Sequence, residues 1–232
     1  MLTVRKASSR RHIQRAGHDT WMSFDPEARR DPFREGFRGL RGLDEDRLAP
    51  GIGAPSHARH DMEILTYVMD GVLVHEDDLA KARVIRSGDF QLINAGSGLN
   101  HKRTNGSSRD ATTVFESRFQ TATPHVAPQC VQRRFAAGDQ KGVFLLIASP
   151  EAGPGSFRVQ QDVRVYSSLP DRGRHLIHAI EPGRHAWLQV MKGRVQLPDH
   201  VLRAGDGVAF EDEISVSITA LEPSELLLFD LA

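Results

Sequence analysis

One short pattern occurs twice in the chain and restricts what it can fold into. YVMDG (Tyr67 to Gly71) is followed by IRSGD (Ile85 to Asp89), and QVMKG (Gln189 to Gly193) is followed by LRAGD (Leu202 to Asp206). In each copy an apolar run enters a Gly turn, a second run returns, and an x-Gly-Asp turn launches a third. Two copies of one β unit predict two domains of similar construction. With 232 residues, the chain has room for both.

The remaining periodicity agrees. EILTYVMDG, ARVIRSGDFQLINAG, ATTVFESRFQ, GVFLLIASP, HAWLQVMKGRVQL, GDGVAFEDEISVSITA and SELLLFDLA are β-branched or alternating segments bounded by Gly, Pro, Asn and Asp. Long amphipathic helical patterns are nearly absent, so the expected class is all-β, a sandwich or barrel. Pro124 and Pro128 interrupt the strand pattern in QTATPHVAPQC, which predicts domains at residues 1–122 and 123–232.

Charge and cysteine content narrow the function. Thirty basic residues balance thirty acidic ones, leaving no global field for nucleic acid or an anionic membrane. Arg10, Arg11 and Arg15 are read as a solvated face, since no aromatic interleaving accompanies them. Cys130 is the single cysteine, so a metal would have to use His, Asp and Glu. The opening MLTVRKASSRRHIQR lacks an apolar signal core, and no later run could span a bilayer; it reads as a strand and polar loop of a cytoplasmic protein.

WMSF, DPFREGFRGLR, GIGAPSHARHDMEILTYVMDG, SGDFQLINAGSGLNHKRTN, VQRRF and the closing SELLLFDLA together resemble the pirin family, a branch of the cupin superfamily. That resemblance implies two stacked cupin barrels. It also implies an iron-like divalent metal in the N-terminal barrel, held by a His-x-His pair and a His-x-Glu pair. Alternate residues of a strand share a face, so two such pairs on facing strands converge on one point. Some pirins are associated with quercetin 2,3-dioxygenase activity and one with transcriptional co-regulation.

The ligand positions depart from that pattern. Aligned on DMEIL, His57 matches the first ligand and Arg59 stands at the second; aligned on AGSG, His101 matches the third and Arg103 stands at the fourth. A guanidinium stays protonated and offers no lone pair to a metal. Strand alternation from 57 to 63 puts His60 on the wrong face and Glu63 on the right one, where the general cupin motif has a glutamate. The expected pocket is His57, Arg59, Glu63, His101, Arg103 and Glu116, with no metal and no catalytic residue. The two arginines pair with Glu63 and Glu116, or they receive an anionic or aromatic ligand.

The resulting expectation is a bicupin that binds a small ligand or a protein partner. The enzymatic alternative is a quercetinase-like protein with one divalent metal held weakly by His57, His101 and Glu63. His75 with Glu76, Asp77 and Asp78 reads as a solvated polar loop. His175, His178 and His185 fall on strand-like sequence without ligand spacing, so no metal site is expected in the second domain. Cys130 reads as structural.

Overall fold

The computed structural model describes residues 1–79 and 82–232. Among them there is no α-helix, only two 3-10 turns at Ala7–Ser9 and Ala137–Gln140. The strands of the first half after the opening one are β2 (Arg11–Arg15), β3 (His18–Met22), β4 (Leu40–Leu48), β5 (Gly53–Arg59), β6 (Met62–Asp70), β7 (Val72–Asp77), β8 (Arg83–Arg86), β9 (Asp89–Asn94), β10 (Leu99–Asn105), β11 (Thr112–Gln120) and β12 (Gln129–Arg134). The opening strand is β1 (Leu2–Arg5). The second half contains β13 (Leu145–Ser149), β14 (Phe157–Arg158), β15 (Val163–Ser168), β16 (His175–Ala179), β17 (His185–Lys192), β18 (Arg194–Gln196), β19 (Val201–Arg203), β20 (Gly207–Phe210), β21 (Ser215–Ala220) and β22 (Glu225–Leu231).

Two compact units divide the chain. One comprises Arg11–Gly36 and Leu40–Arg134, the other Met1–Arg10, Phe37–Gly39 and Phe135–Ala232. Each is a cupin barrel built from a seven-stranded and a four-stranded sheet. The first has orders β12-β9-β6-β11-β4-β3-β2 and β5-β10-β7-β8, and the second β1-β20-β17-β22-β15-β13-β14 and β16-β21-β18-β19.

The division expected at residue 122 is therefore displaced at both ends. Pro124 and Pro128 precede β12 rather than end the unit, because β12 still pairs along its length with β9. Conversely, β1 pairs with β20, so the first residues complete the C-terminal barrel. Pairing partners far apart in the chain, not local turn residues, set these boundaries.

The duplicated turns are the same device used twice. Gly71 and Gly193 have φ of 86° and 83°, and Gly88 and Gly205 both have φ of 85°, a region that favours glycine. The Gly88 amide donates to the Val68 carbonyl at 2.9 Å, as the Gly205 amide donates to that of Val190 at 2.8 Å. Asp89 then accepts from the Arg86 amide at 2.9 Å and Asp206 from the Arg203 amide at 3.0 Å.

The two interiors differ. Leu188, Val190, Leu197, Leu202, Val208, Val216, Ile218 and Leu228 belong to one continuous apolar core in the C-terminal barrel. Among the described residues the N-terminal barrel contains smaller apolar clusters, one of Leu48, Val68, Leu73, Ile85 and Val114 and another of Ile64, Ile93, Ala95 and Leu99. Polar side chains supply much of the rest of its interior.

Candidate functional site

Superposing the duplicated units by their Gly turns and strand registers shows what that polar interior replaces. Thr66, His75, Gln91, His101, Arg103 and Glu116 fall opposite Leu188, Leu197, Val208, Val216, Ile218 and Leu228. All six polar residues are buried, and all six counterparts are core. The fold is therefore made without polar groups at these positions in one barrel and with them in the other. Burying such groups costs free energy unless each finds a partner.

Two carboxylate-bearing strands build one side of the site. The register sets Glu116 of β11 opposite Asp44 of β4 and Thr66 of β6, so their side chains share the inner face of the large sheet. Arg103 reaches across from β10 of the small sheet. Its Nη1 lies 2.7 Å from Glu116 Oε2 and its Nη2 lies 3.3 Å from Asp46 Oδ2. Arg118 Nη1 donates to Asp44 at 2.6 Å and to Glu116 at 3.0 Å. Asp46 also holds His18 at 2.9 Å and accepts from the Thr20 hydroxyl at 2.6 Å.

Electrostatics follow from that arrangement. Burial alone would raise the Glu116 carboxyl, but Arg103, Arg118 and Arg59 outweigh it and bring it down to about 2. Asp44 goes the other way: burial, with Glu116 and Asp46 adding repulsion, lifts it to about 6 despite Arg118. Burial, then the charge of Arg103, depresses His101 to about 3, and burial depresses His75 to about 4.

The expected pocket residues separate on inspection. His57, Arg59, Arg103 and Glu116 line one cavity of about 540 Å³, together with Arg15, His18, Asp44, Asp46 and Arg118. His101 stands behind His57, with ring centroids 4.4 Å apart. Glu63 does not join them. The expected alternation from 57 to 63 fails because β5 ends at Arg59 and Asp61 turns the chain with φ of 48°. On β6, Glu63 shares a face with Leu65 and Tyr67, opposite to Ile64 and Thr66. His60 sits at the turn with its side chain 80% exposed, outside the pocket as expected, though for a different reason.

Two other expectations, for His75 and Arg15, need correction. His75 is not in a solvated loop: it lies on β7, wholly buried, with its ring centroid 5.4 Å from that of His101. Arg15 lines the cavity rather than a purely solvated face. Cys130 lies on β12 and packs against the Ile64 cluster. His75, Asp77 and Cys130 bring potential ligand atoms within 4.8 Å of one another. Asp77, however, is engaged by Arg83 at 2.6 Å and by the Leu79 amide at 2.9 Å.

Sequence reasoning missed Asp44, Asp46, Arg118 and His18. The signal was available in LDEDRL, where Asp44 and Asp46 alternate with residues of the other face, and in VFESRF, where Glu116 and Arg118 do the same.

The Pirin family profile matches residues 4–119, and a profile described as the quercetinase C-terminal cupin domain matches residues 146–231. The chain belongs to the pirin family. A quercetin 2,3-dioxygenase of Escherichia coli K12 is 35% identical over 231 residues, covering 100% of this chain and 99% of that protein. A putative quercetin 2,3-dioxygenase of Pasteurella multocida is 34% identical, with 100% of both chains covered. Among solved structures, the bacterial pirin YhhW of Escherichia coli in complex with nickel(II) superposes with a TM-score of 0.91 at 35% identity, covering 100% of this chain and 99% of that one. No helix among the described residues is long and apolar enough to cross a membrane.

Proposed function

We propose that this pirin has exchanged the family metal centre for an internal ion-pair network, and that its N-terminal barrel serves as a small-ligand pocket without dioxygenase chemistry. The observation that carries the reading is the Arg103 to Glu116 contact at 2.7 Å. It gives the residue at the expected fourth ligand position a structural partner and directs a positive charge to where a cation would sit. The donor set does not fit a divalent metal of the expected kind: His57 and His101 remain, but Arg59 and Arg103 contribute guanidinium groups. Two positive charges within several ångströms of a dication oppose its binding by several kcal/mol, on the order of a screened Coulomb energy. Glu63, the proposed third member of a reduced set, faces away from the pocket's side of β6.

A cytoplasmic location and a protein partner belong to the same reading, the second from the family association. The competing reading is a metal-dependent quercetinase, favoured by the names of the relatives and by the nickel complex of YhhW. Protein purified without a metal-chelating tag, loaded in turn with iron, manganese, copper and nickel and assayed with quercetin, separates the two. The proposal expects no metal-stimulated turnover; turnover that scales with bound metal sinks it.

A further inference from the structure

The cavity has a charge pattern that specifies a class of ligand. Its lining carries four guanidinium groups, Arg15, Arg59, Arg103 and Arg118, against three carboxylates, Asp44, Asp46 and Glu116. Arg103 and Arg118 are engaged with those acids. Arg59 feels the charges of Glu116 and Asp44 but forms no ion pair with them within 4 Å, and its Nε is buried with no hydrogen-bond partner. One added negative charge would balance the lining, and a carboxylate matches a guanidinium fork.

His57 supplies the second mark. Its Nδ1 donates to the Pro55 carbonyl at 3.0 Å, and in the tautomer protonated at Nδ1 the Nε2 atom is an acceptor. That Nε2 is buried and has no partner. A lone-pair acceptor repels a carboxylate and suits a hydroxyl. His57 and Arg59 are two residues apart on one face of β5, so their bases are roughly 7 Å apart. Ile13, Met22, Ala54 and Pro55 add apolar wall for the body of the ligand.

We infer that the pocket binds a small hydroxylated aromatic monocarboxylate, with the carboxylate on Arg59 and the hydroxyl donating to His57 Nε2. This deepens the metal-free reading above and depends on it.

The test is calorimetric titration of metal-depleted full-length protein with 3-hydroxybenzoate, benzoate and phenol, with metal content measured on the same samples. Saturable binding of 3-hydroxybenzoate is expected, about tenfold or more weaker in Arg59→Gln. Benzoate is expected to bind several-fold more weakly than 3-hydroxybenzoate, and His57→Phe to abolish that difference. Phenol should bind more weakly than either. Far-UV circular dichroism confirms that each variant is folded, which Arg59 favours by its place at the end of an edge strand. Equal affinity in wild type and Arg59→Gln, or no saturable carboxylate binding at all, overturns the inference. If carboxylate binds only after nickel loading and ignores Arg59→Gln, both this inference and the metal-free reading fail. If the protein takes up no nickel and binds no carboxylate, this inference alone fails.

Discussion

Arg103 and Glu116 meet inside the N-terminal barrel with Nη1 and Oε2 2.7 Å apart, and solvent reaches only 8% and 2% of their side chains. Neither atom makes an aligned hydrogen bond, so the contact is held by charge. Each residue has a second partner, Asp46 for Arg103 and Arg118 for Glu116. The pair is thus the middle link of a chain from His18 and Asp46 to Arg118 and Asp44.

A double-mutant cycle should register that link. Removing one member of a buried pair leaves the other charge uncompensated, so Arg103→Met and Glu116→Leu should each cost about 3–5 kcal/mol. The double variant should cost clearly less than the sum, because no orphan charge remains between the two. Denaturant titration followed by a probe in the N-terminal barrel measures this; strict additivity would mean the contact is energetically empty.

Acid should weaken the N-terminal barrel in two stages. His75 and His101, depressed to about 4 and 3 from 6.5, stay neutral in the fold while the unfolded chain takes up protons, so stability falls as pH drops below 6.5. Asp44, raised to about 6 from 3.8, works against this by binding a proton in the fold. Between pH 6 and 4 the two histidines outweigh the one carboxyl, so the net effect is a loss of stability as pH falls. Glu116, held at about 2 against 4.5, adds a further loss below pH 4.5. Unfolding free energy measured from pH 7 to 3 gives the slope directly, and a flat profile would contradict the burial of the two histidines.

The Cys130 thiol should be slow to react. Burial raises it to about 12, leaving a thiolate fraction at pH 8 of roughly one in ten thousand. Labelling with a disulfide reagent should proceed orders of magnitude faster in denaturant than in buffer; equal rates would place the thiol at the surface.

Gly71→Ala should destabilise the chain by at least about 1 kcal/mol, through its φ of 86° and a Cβ 2.5 Å from Thr112 Oγ1. Gly193→Ala should behave alike, since its Cβ would meet Ser224 Oγ at 2.4 Å, whereas Gly138→Ala meets nothing. Thermal melts of the three variants provide the comparison.

Fold class was legible because the repeat carries its own geometry: YVMDG and QVMKG each end on a glycine that must adopt positive φ, and each SGD or AGD turn closes on its aspartate. The unit boundaries were not legible, because β1 and β12 are assigned by partners far away in the chain. In the site, Arg59, Arg103 and Glu116 could be read from their positions in short motifs. Glu63 misled because a strand parity was carried through a turn at Asp61. Asp44, Asp46 and Arg118 stayed hidden as ordinary charged residues until the β4 and β11 register brought them together.

In the proposed reading, Arg59 and Arg103, the latter with its acid partners, stand in place of a metal. Glu116 must be neutralised along with the arginines if a metal is to return, since Arg103→Glu alone sets two carboxylates against each other. Nickel(II) titration calorimetry of wild type and of Arg59→His/Arg103→Glu/Glu116→Gln is the direct measurement. Wild type should show no stoichiometric nickel site and the triple variant should gain one; one tightly bound nickel per wild-type chain would overturn the ion-pair reading.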